Sequence, residues 1–171
     1  MTMQSKTIVY KHNELELEAY MAWNDKHSLP CPGVLICHDA MGGKSDFERE
    51  RARALAELGY VGIAIDLYGK DHRASSAEEA FELMNPLIDD KQLLRERLAV
   101  ALEMAASRSV VDSEQIAAIG YCFGGMCALE YARSGAALKS QAFMAYCLPL
   151  VCRPATISRR KYLSCTAGAI Q

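Results

Sequence analysis

Gly120-Tyr121-Cys122-Phe123-Gly124-Gly125 is the stretch on which the reading of this chain turns. It follows Ile116-Ala117-Ala118-Ile119, a short run that is apolar at every position, and it opens a segment expected to be helical to about Gly135. A run buried on both faces suits a strand of a parallel sheet. The six residues then form a strand-to-helix turn of the type Gly-x-nucleophile-x-Gly, with Cys122 as the nucleophile. Side chains would clash in so sharp a turn, which accounts for Gly120, Gly124 and Gly125. The turn lifts the sulfur off the carboxyl edge of the sheet. The helix start behind it offers free N–H groups and the positive end of a dipole, the parts that hold a developing oxyanion. The expected donors are the N–H of Phe123 and that of Ala40, in the loop after the first parallel strand. The competing reading of Cys122 is a small core residue, as free cysteines often are. Its place between a strand and a helix favours the nucleophile.

Upstream, the periodicities build the frame that this turn requires. Residues 6–23 alternate, with Ile8 and Tyr10 before and Leu15 and Leu17 after Lys11-His12-Asn13-Glu14, which predicts a β-hairpin. Gly33-Val34-Leu35-Ile36-Cys37-His38 and Val61-Gly62-Ile63-Ala64-Ile65-Asp66 are two further buried strands. The first runs into Asp39-Ala40-Met41-Gly42-Gly43, a glycine-bearing loop at its carboxyl end. Ser45-Asp46-Phe47-Glu48 has the form of a capping box. The helix it opens is expected to bury Phe47, Ala54, Leu55 and Leu58 and to end at Gly59. A helix over 76–85 is expected to stop before Pro86, and a longer one over about 89–107 carries Leu94, Leu98, Ala101, Leu102 and Ala105 on one face. Strands alternating with helices predict an α/β fold with a parallel sheet and helices on both faces.

Composition sets limits on function. With 171 residues the chain can bury one real core. A net charge of −2 gives no electrostatic footprint for nucleic acid or an anionic membrane. No apolar run reaches the length of a membrane-spanning helix. Met1-Thr2-Met3-Gln4-Ser5-Lys6 lacks the basic start and apolar core of a signal peptide, so a cytoplasmic location is expected. The seven cysteines are odd in number and sit mostly in apolar runs, which fits a reducing compartment better than a disulfide framework. Cys122 and Cys127 lack zinc-site spacing and His38 beside Cys37 stands alone, so no metal or other cofactor is expected.

Three blocks in this order resemble the dienelactone hydrolase family of the α/β-hydrolases. Val34–Gly43 is similar to the family's first parallel strand and oxyanion loop, Asp66-Leu67-Tyr68-Gly69 to its Asp-Leu-Tyr element, and Gly120–Gly125 to its Gly-Tyr-Cys-x-Gly-Gly elbow. The resemblance covers roughly residues 6–138. It implies hydrolysis of a small ester or lactone through a thioester on Cys122. Asp39 falls where the family places an acid, commonly glutamate, that touches and activates the thiol. Aspartate is one methylene shorter, and its other reading is a loop carboxylate that caps backbone N–H groups. Adjacent strand residues face opposite ways, so His38 and Asp39 are not both expected to face Cys122. Arg73 has two readings, a contact for an anionic substrate and a solvated arginine. Asp66 and Tyr68 read as structural.

The sequence departs from that pattern after about residue 138. An α/β-hydrolase elbow recruits an acid and then a histidine from later in the chain. No histidine and no aspartate follow Cys122, and the one glutamate that does, Glu130, lies on the helix opened by the elbow. Residues 139–171 hold none of the 21 acidic residues and five basic ones. This suggests a frameshift near Lys139: Tyr162–Gln171 can be encoded so that a neighbouring frame reads Phe-Ile-Leu-His-Gly-Trp-Gly-Asp-Pro, similar to the family segment that carries the triad acid. The expectation is a partial α/β-hydrolase over 1–138 with its C-terminal strands missing, a divergent tail over 139–171, and self-association through an unpaired sheet edge. Two functions stay open: a cysteine hydrolase lacking the triad acid and histidine, and an inactive remnant or binding domain.

Overall fold

The computed structural model describes residues 2–43 and 45–134, together with the backbone of residues 143–146. Ten elements follow the chain: β1 (Met3–His12), β2 (Leu15–Asn24), β3 (Cys31–Cys37), α1 (Asp46–Glu57), β4 (Val61–Ile65), α2 (Ala77–Asp89), α3 (Lys91–Ala106), β5 (Val111–Tyr121), α4 (Phe123–Arg133) and β6 (Phe143–Tyr146). They build one sheet in the order β1-β2-β4-β3-β5-β6. The β1–β2 hairpin is antiparallel and joins β4 antiparallel, whereas β3 runs parallel to β4 and β5, and β5 parallel to β6. Asn13 takes the left-handed conformation at the hairpin tip (φ 53°), which asparagine tolerates better than most residues.

The core lies on both faces of this sheet. One face packs Leu35, Ile63, Ile65 and Ala118 against Leu94, Leu98, Ala101 and Ala105 of α3 and Cys127 and Ala128 of α4. The helical face read from the sequence is therefore the buried one, with Leu102 only partly buried. Each large aliphatic side chain there contributes about 1.5–3 kcal/mol. On the other face, Ala22, Ile36 and Ala64 meet Ala52 and Ala56 of α1.

That second interface corrects the stripe expected for α1. Leu58 is 72% exposed and Phe47 42%, Ala54 is exposed and Leu55 half-buried, while Glu48, Ala52 and Ala56 are buried. The reason is the closeness of the approach: a Cβ added to Gly62 would fall 2.3 Å from the Ala52 carbonyl oxygen. At that separation the helix can seat only alanines on β4, and its larger residues are displaced to the flanks. Gly59 does end the helix, at φ 93°. The Ser45 hydroxyl bonds the Glu48 carboxylate instead of capping a backbone N–H.

Two further expectations shift. α2 runs through Pro86 to Asp89. The proline sits in the last turn on an exposed position, where the carbonyl it leaves unbonded can face water, and Ala80 and Leu87 keep the buried face continuous. Residues Phe143–Tyr146, within the divergent tail, form β6, so the β5 edge expected to lie open is paired from Ala118 to Tyr121. The proposed triad-acid segment in the neighbouring frame and the rest of 139–171 lie outside the described residues.

Candidate active site

The sheet order reverses at β3. The chain passes from β3 to β4 on one side and returns to β5 on the other, which leaves a crevice above the carboxyl ends of β3 and β5, where open α/β sheets bind ligands. Cys122 stands at that edge. It joins β5 to α4 with φ 53° and ψ −120°, a conformation that costs a residue with a side chain of order 1–3 kcal/mol. Its side chain is exposed, whereas Cys31, Cys37 and Cys127 are buried, and burial pushes the Cys37 thiol up to about 12. Of these four, only Cys122 is exposed.

The glycines answer to contacts. A Cβ on Gly120 would lie 2.2 Å from the carbonyl carbon and oxygen of Gly124 and 2.7 Å from the Gly125 nitrogen. A Cβ on Gly124 would lie 2.2 Å from the Cys37 oxygen and 2.5 Å from that of His38. The α4 N-terminus therefore sits directly on the end of β3, and the Phe123 N–H is an orphan donor of its first turn. Ala40 N–H donates no hydrogen bond among the described residues.

That loop is fixed from several sides. The Tyr68 hydroxyl donates to the Ala40 carbonyl (3.0 Å), and Ala74 N–H to the Met41 carbonyl (3.0 Å). Tyr68 is in turn placed by Asp66, whose Oδ1 accepts from the N–H groups of Tyr68 (2.9 Å) and Gly69 (3.1 Å). Burial and the nearby Cys127, Asp39 and Cys122 raise the Tyr68 phenol above its ordinary value, so it remains a donor. Asp66 and Tyr68 thus have the structural roles read from the sequence, although the link from Tyr68 to Ala40 carries no sequence signal. The guanidinium of Arg97 caps the Leu67 carbonyl, a contact the periodicity of α3 does not reveal.

Asp39 caps the loop: its Oδ1 accepts from Met41 N–H at 2.8 Å, and no hydrogen bond joins it to Cys122 among the described residues. His38 is fully buried, with Nδ1 2.6 Å from the Asp39 carbonyl oxygen and Nε2 3.1 Å from the Leu67 nitrogen. Burial lowers its pKa, and with both ring nitrogens bonded it is not available to Cys122 as a base. Glu130 pairs with Arg95 across α3 and α4 (2.5 Å) and takes no part in the site. Arg73 is exposed, with its Cα 3.6 Å from where a Cβ on Gly42 would stand, so it borders the loop. Among the described residues no group of three or more His, Cys, Asp and Glu side chains could hold a metal ion, and no helix is long and apolar enough to cross a membrane.

A non-glycine residue at positive φ between a central parallel strand and a helix, with two glycines that allow the helix to touch the neighbouring strand, defines an α/β-hydrolase. The chain belongs to the dienelactone hydrolase family, whose sequence profile matches residues 17–161. A proposed carboxymethylenebutenolidase from Yersinia pestis is 33% identical over 128 residues, which cover 73% of this chain and 47% of that protein. A proposed 2-oxo-3-(5-oxofuran-2-ylidene)propanoate lactonase from Bradyrhizobium is 26% identical over 113 residues, covering 66% of this chain and 45% of its own. Among solved structures, a dienelactone hydrolase-like promiscuous phosphotriesterase from metagenomic libraries superposes with a TM-score of 0.77 at 32% identity, over 83% of this chain and 58% of that one. The chain spans about half the length of the curated relatives it matches.

Proposed function

We propose that this protein attacks a small ester or lactone with Cys122 and forms a thioester. The observation that carries this reading is the exposed cysteine held at φ 53° on the N-terminus of α4. The Cys122 thiol loses its proton to solvent, the thiolate attacks the substrate carbonyl carbon, and the carbonyl electron pair moves onto the oxygen. The N–H groups of Phe123 and Ala40 receive that oxyanion; each such donor is typically worth about 3 kcal/mol in the barrier. Collapse of the intermediate expels the alkoxide, which takes a proton from solvent, and water then cleaves the thioester. Asp39 falls at the family's activating position; its Oδ1 holds the Met41 N–H, which leaves Oδ2 for a contact with the thiol. Arg73, exposed beside the loop, suits a substrate that carries a carboxylate, which agrees with the anionic lactone in the name of the Bradyrhizobium relative.

One observation favours the second reading, an inactive remnant or binding domain. The chain has four histidines, and among the described residues no hydrogen bond joins any of them to Cys122. His38 is bonded through both nitrogens, His12 faces Glu96 at 3.4 Å, His27 lies against Gly59, and His72 lies against Gly69. A positioned general base is typically worth 10²–10⁴-fold. The expected behaviour of this polypeptide with p-nitrophenyl acetate is a burst of one nitrophenolate per chain followed by slow release. Stopped-flow absorbance and intact mass decide the matter: an acetyl adduct mapped to Cys122 and lost in Cys122→Ala supports the nucleophile. Absence of any adduct leaves the binding domain.

A further inference from the structure

The oxyanion donor at Ala40 belongs to the peptide unit that joins Asp39 to Ala40. That unit is planar and trans, so its C=O and N–H point in opposite directions. Whatever holds the Asp39 carbonyl therefore aims the Ala40 N–H. Two donors hold it, the His38 ring, whose Nδ1 lies 2.6 Å from that oxygen, and the Gly42 N–H at a longer 3.3 Å, so the ring is the shorter of the two ties. A carbonyl can only accept, so Nδ1 carries the proton. Leu67 N–H can only donate, so Nε2, 3.1 Å away, accepts. Both bonds require one neutral tautomer. The ring is further fixed by Tyr68, edge-on at 4.6 Å between centroids, and by Phe123 at 6.0 Å, the residue that supplies the other oxyanion donor. It is fully buried and spans the loops after β3 and β4.

We infer that His38 is a positioning residue of the oxyanion hole: by anchoring the Asp39 carbonyl through Nδ1–H it directs the Ala40 N–H toward the substrate oxygen. The inference rests on the proposed acylation of Cys122 and assigns a histidine to that step in a role other than base.

The test compares two reactions at the Cys122 peptide, followed by mass spectrometry in the whole chain. p-Nitrophenyl acetate builds an oxyanion in its transition state, whereas iodoacetamide alkylates the same sulfur by displacing iodide and builds none. The ratio of the two rate constants thus isolates oxyanion stabilisation from nucleophilicity. His38→Phe keeps the ring packing and removes both bonds. It is expected to lower the ratio about tenfold or more, with the roughly 10²–10³-fold known for losing a donor outright as the ceiling. An asparagine amide nitrogen lies as many bonds from Cα as Nδ1, and a glutamine nitrogen as many as Nε2. His38→Asn is therefore expected to hold the ratio within about threefold of the parent and His38→Gln to lower it. This pair decides the matter even where His38→Phe fails to fold, as judged by near-UV circular dichroism. An unchanged ratio, a joint fall in both reactions, or recovery by glutamine instead of asparagine would overturn the inference. Alkylation without acylation in the parent chain would overturn the proposed function, and this inference with it.

Discussion

Replacing Gly124 by alanine tests the packing that brings the elbow and the oxyanion loop together. The new Cβ would stand 2.2 Å from the Cys37 oxygen, whereas ordinary contact begins near 3.4 Å, so α4 must retreat from β3 by about 1 Å. The struck atoms are backbone of a central strand and cannot rotate away, which places the cost in the upper part of the 1–3 kcal/mol range for overpacking, about 2–3 kcal/mol. For a chain of this size that lowers the melting temperature by roughly 4–12 °C. The same retreat carries the Phe123 N–H and the Cys122 sulfur off their positions, and about 1 Å of misplacement can cost 10²-fold in rate. Thermal unfolding by circular dichroism and the acylation burst read both effects. Gly43→Ala is the control: its Cβ would meet nothing nearer than the Ile65 oxygen at 3.4 Å, and its φ is not left-handed, so it should hold stability or gain about 0.4–1 kcal/mol. A Gly124→Ala protein that melts within a degree of the parent and acylates at the parental rate would refute the claim that close helix–strand contact builds the site.

Three other outcomes are expected. Burial lowers the pKa of His38 against the pull of the Asp39 carbonyl and the Asp66, Glu48 and Asp39 carboxylates. The unfolded chain therefore binds the extra proton first: this contribution to stability is complete above the ordinary histidine value near 6.5 and is lost as pH falls below it, by at most about 1.4 kcal/mol per pH unit. Urea midpoints from pH 7.5 to 5.5 should fall less in His38→Asn than in the parent; equal slopes would contradict this. Arg95→Ala leaves Glu130, whose side chain is 11% exposed, without its cation; with Arg95 itself 39% exposed the cost should be about 1–2 kcal/mol, mostly recovered in the Arg95→Met, Glu130→Leu double variant, as chemical denaturation would show. Leu98→Ala removes a 2%-exposed side chain from α3 and should cost about 2–5 kcal/mol with acylation at Cys122 retained below the new melting temperature.

The parts of this fold governed by local chemistry were legible from the residues. β3, β4 and the end of β5 are continuous apolar runs, and only burial on both faces explains such runs. The elbow is legible because a nucleophile between glycines has few structural uses. What failed depended on distance between elements. The face of α1 was misread because the separation of helix and strand at Gly62 decides which residues fit, and Ala52 and Ala56 are small enough while Phe47 and Leu58 are not. The capping box marks the helix start, but the Ser45 hydroxyl bonds the Glu48 carboxylate, a choice of partner that the residue types do not reveal. In the proposed site, Cys122, Phe123 and Ala40 follow from the motif. The bond from Tyr68 to the Ala40 carbonyl and the one from Leu67 to the His38 ring join residues 28 and 29 positions apart and leave no periodic trace.

The backbone at Cys122 poses a conflict between folding and chemistry. At φ 53° the turn asks for glycine, which would enter that conformation without strain, while the proposed acylation asks for sulfur. A library of variants sorted for stability alone would drift toward glycine at this position and lose its reactivity on the way; one sorted for acylation would return the cysteine and accept a softer protein. Position 122 is therefore where selection for robustness and selection for reactivity can be told apart in a single residue.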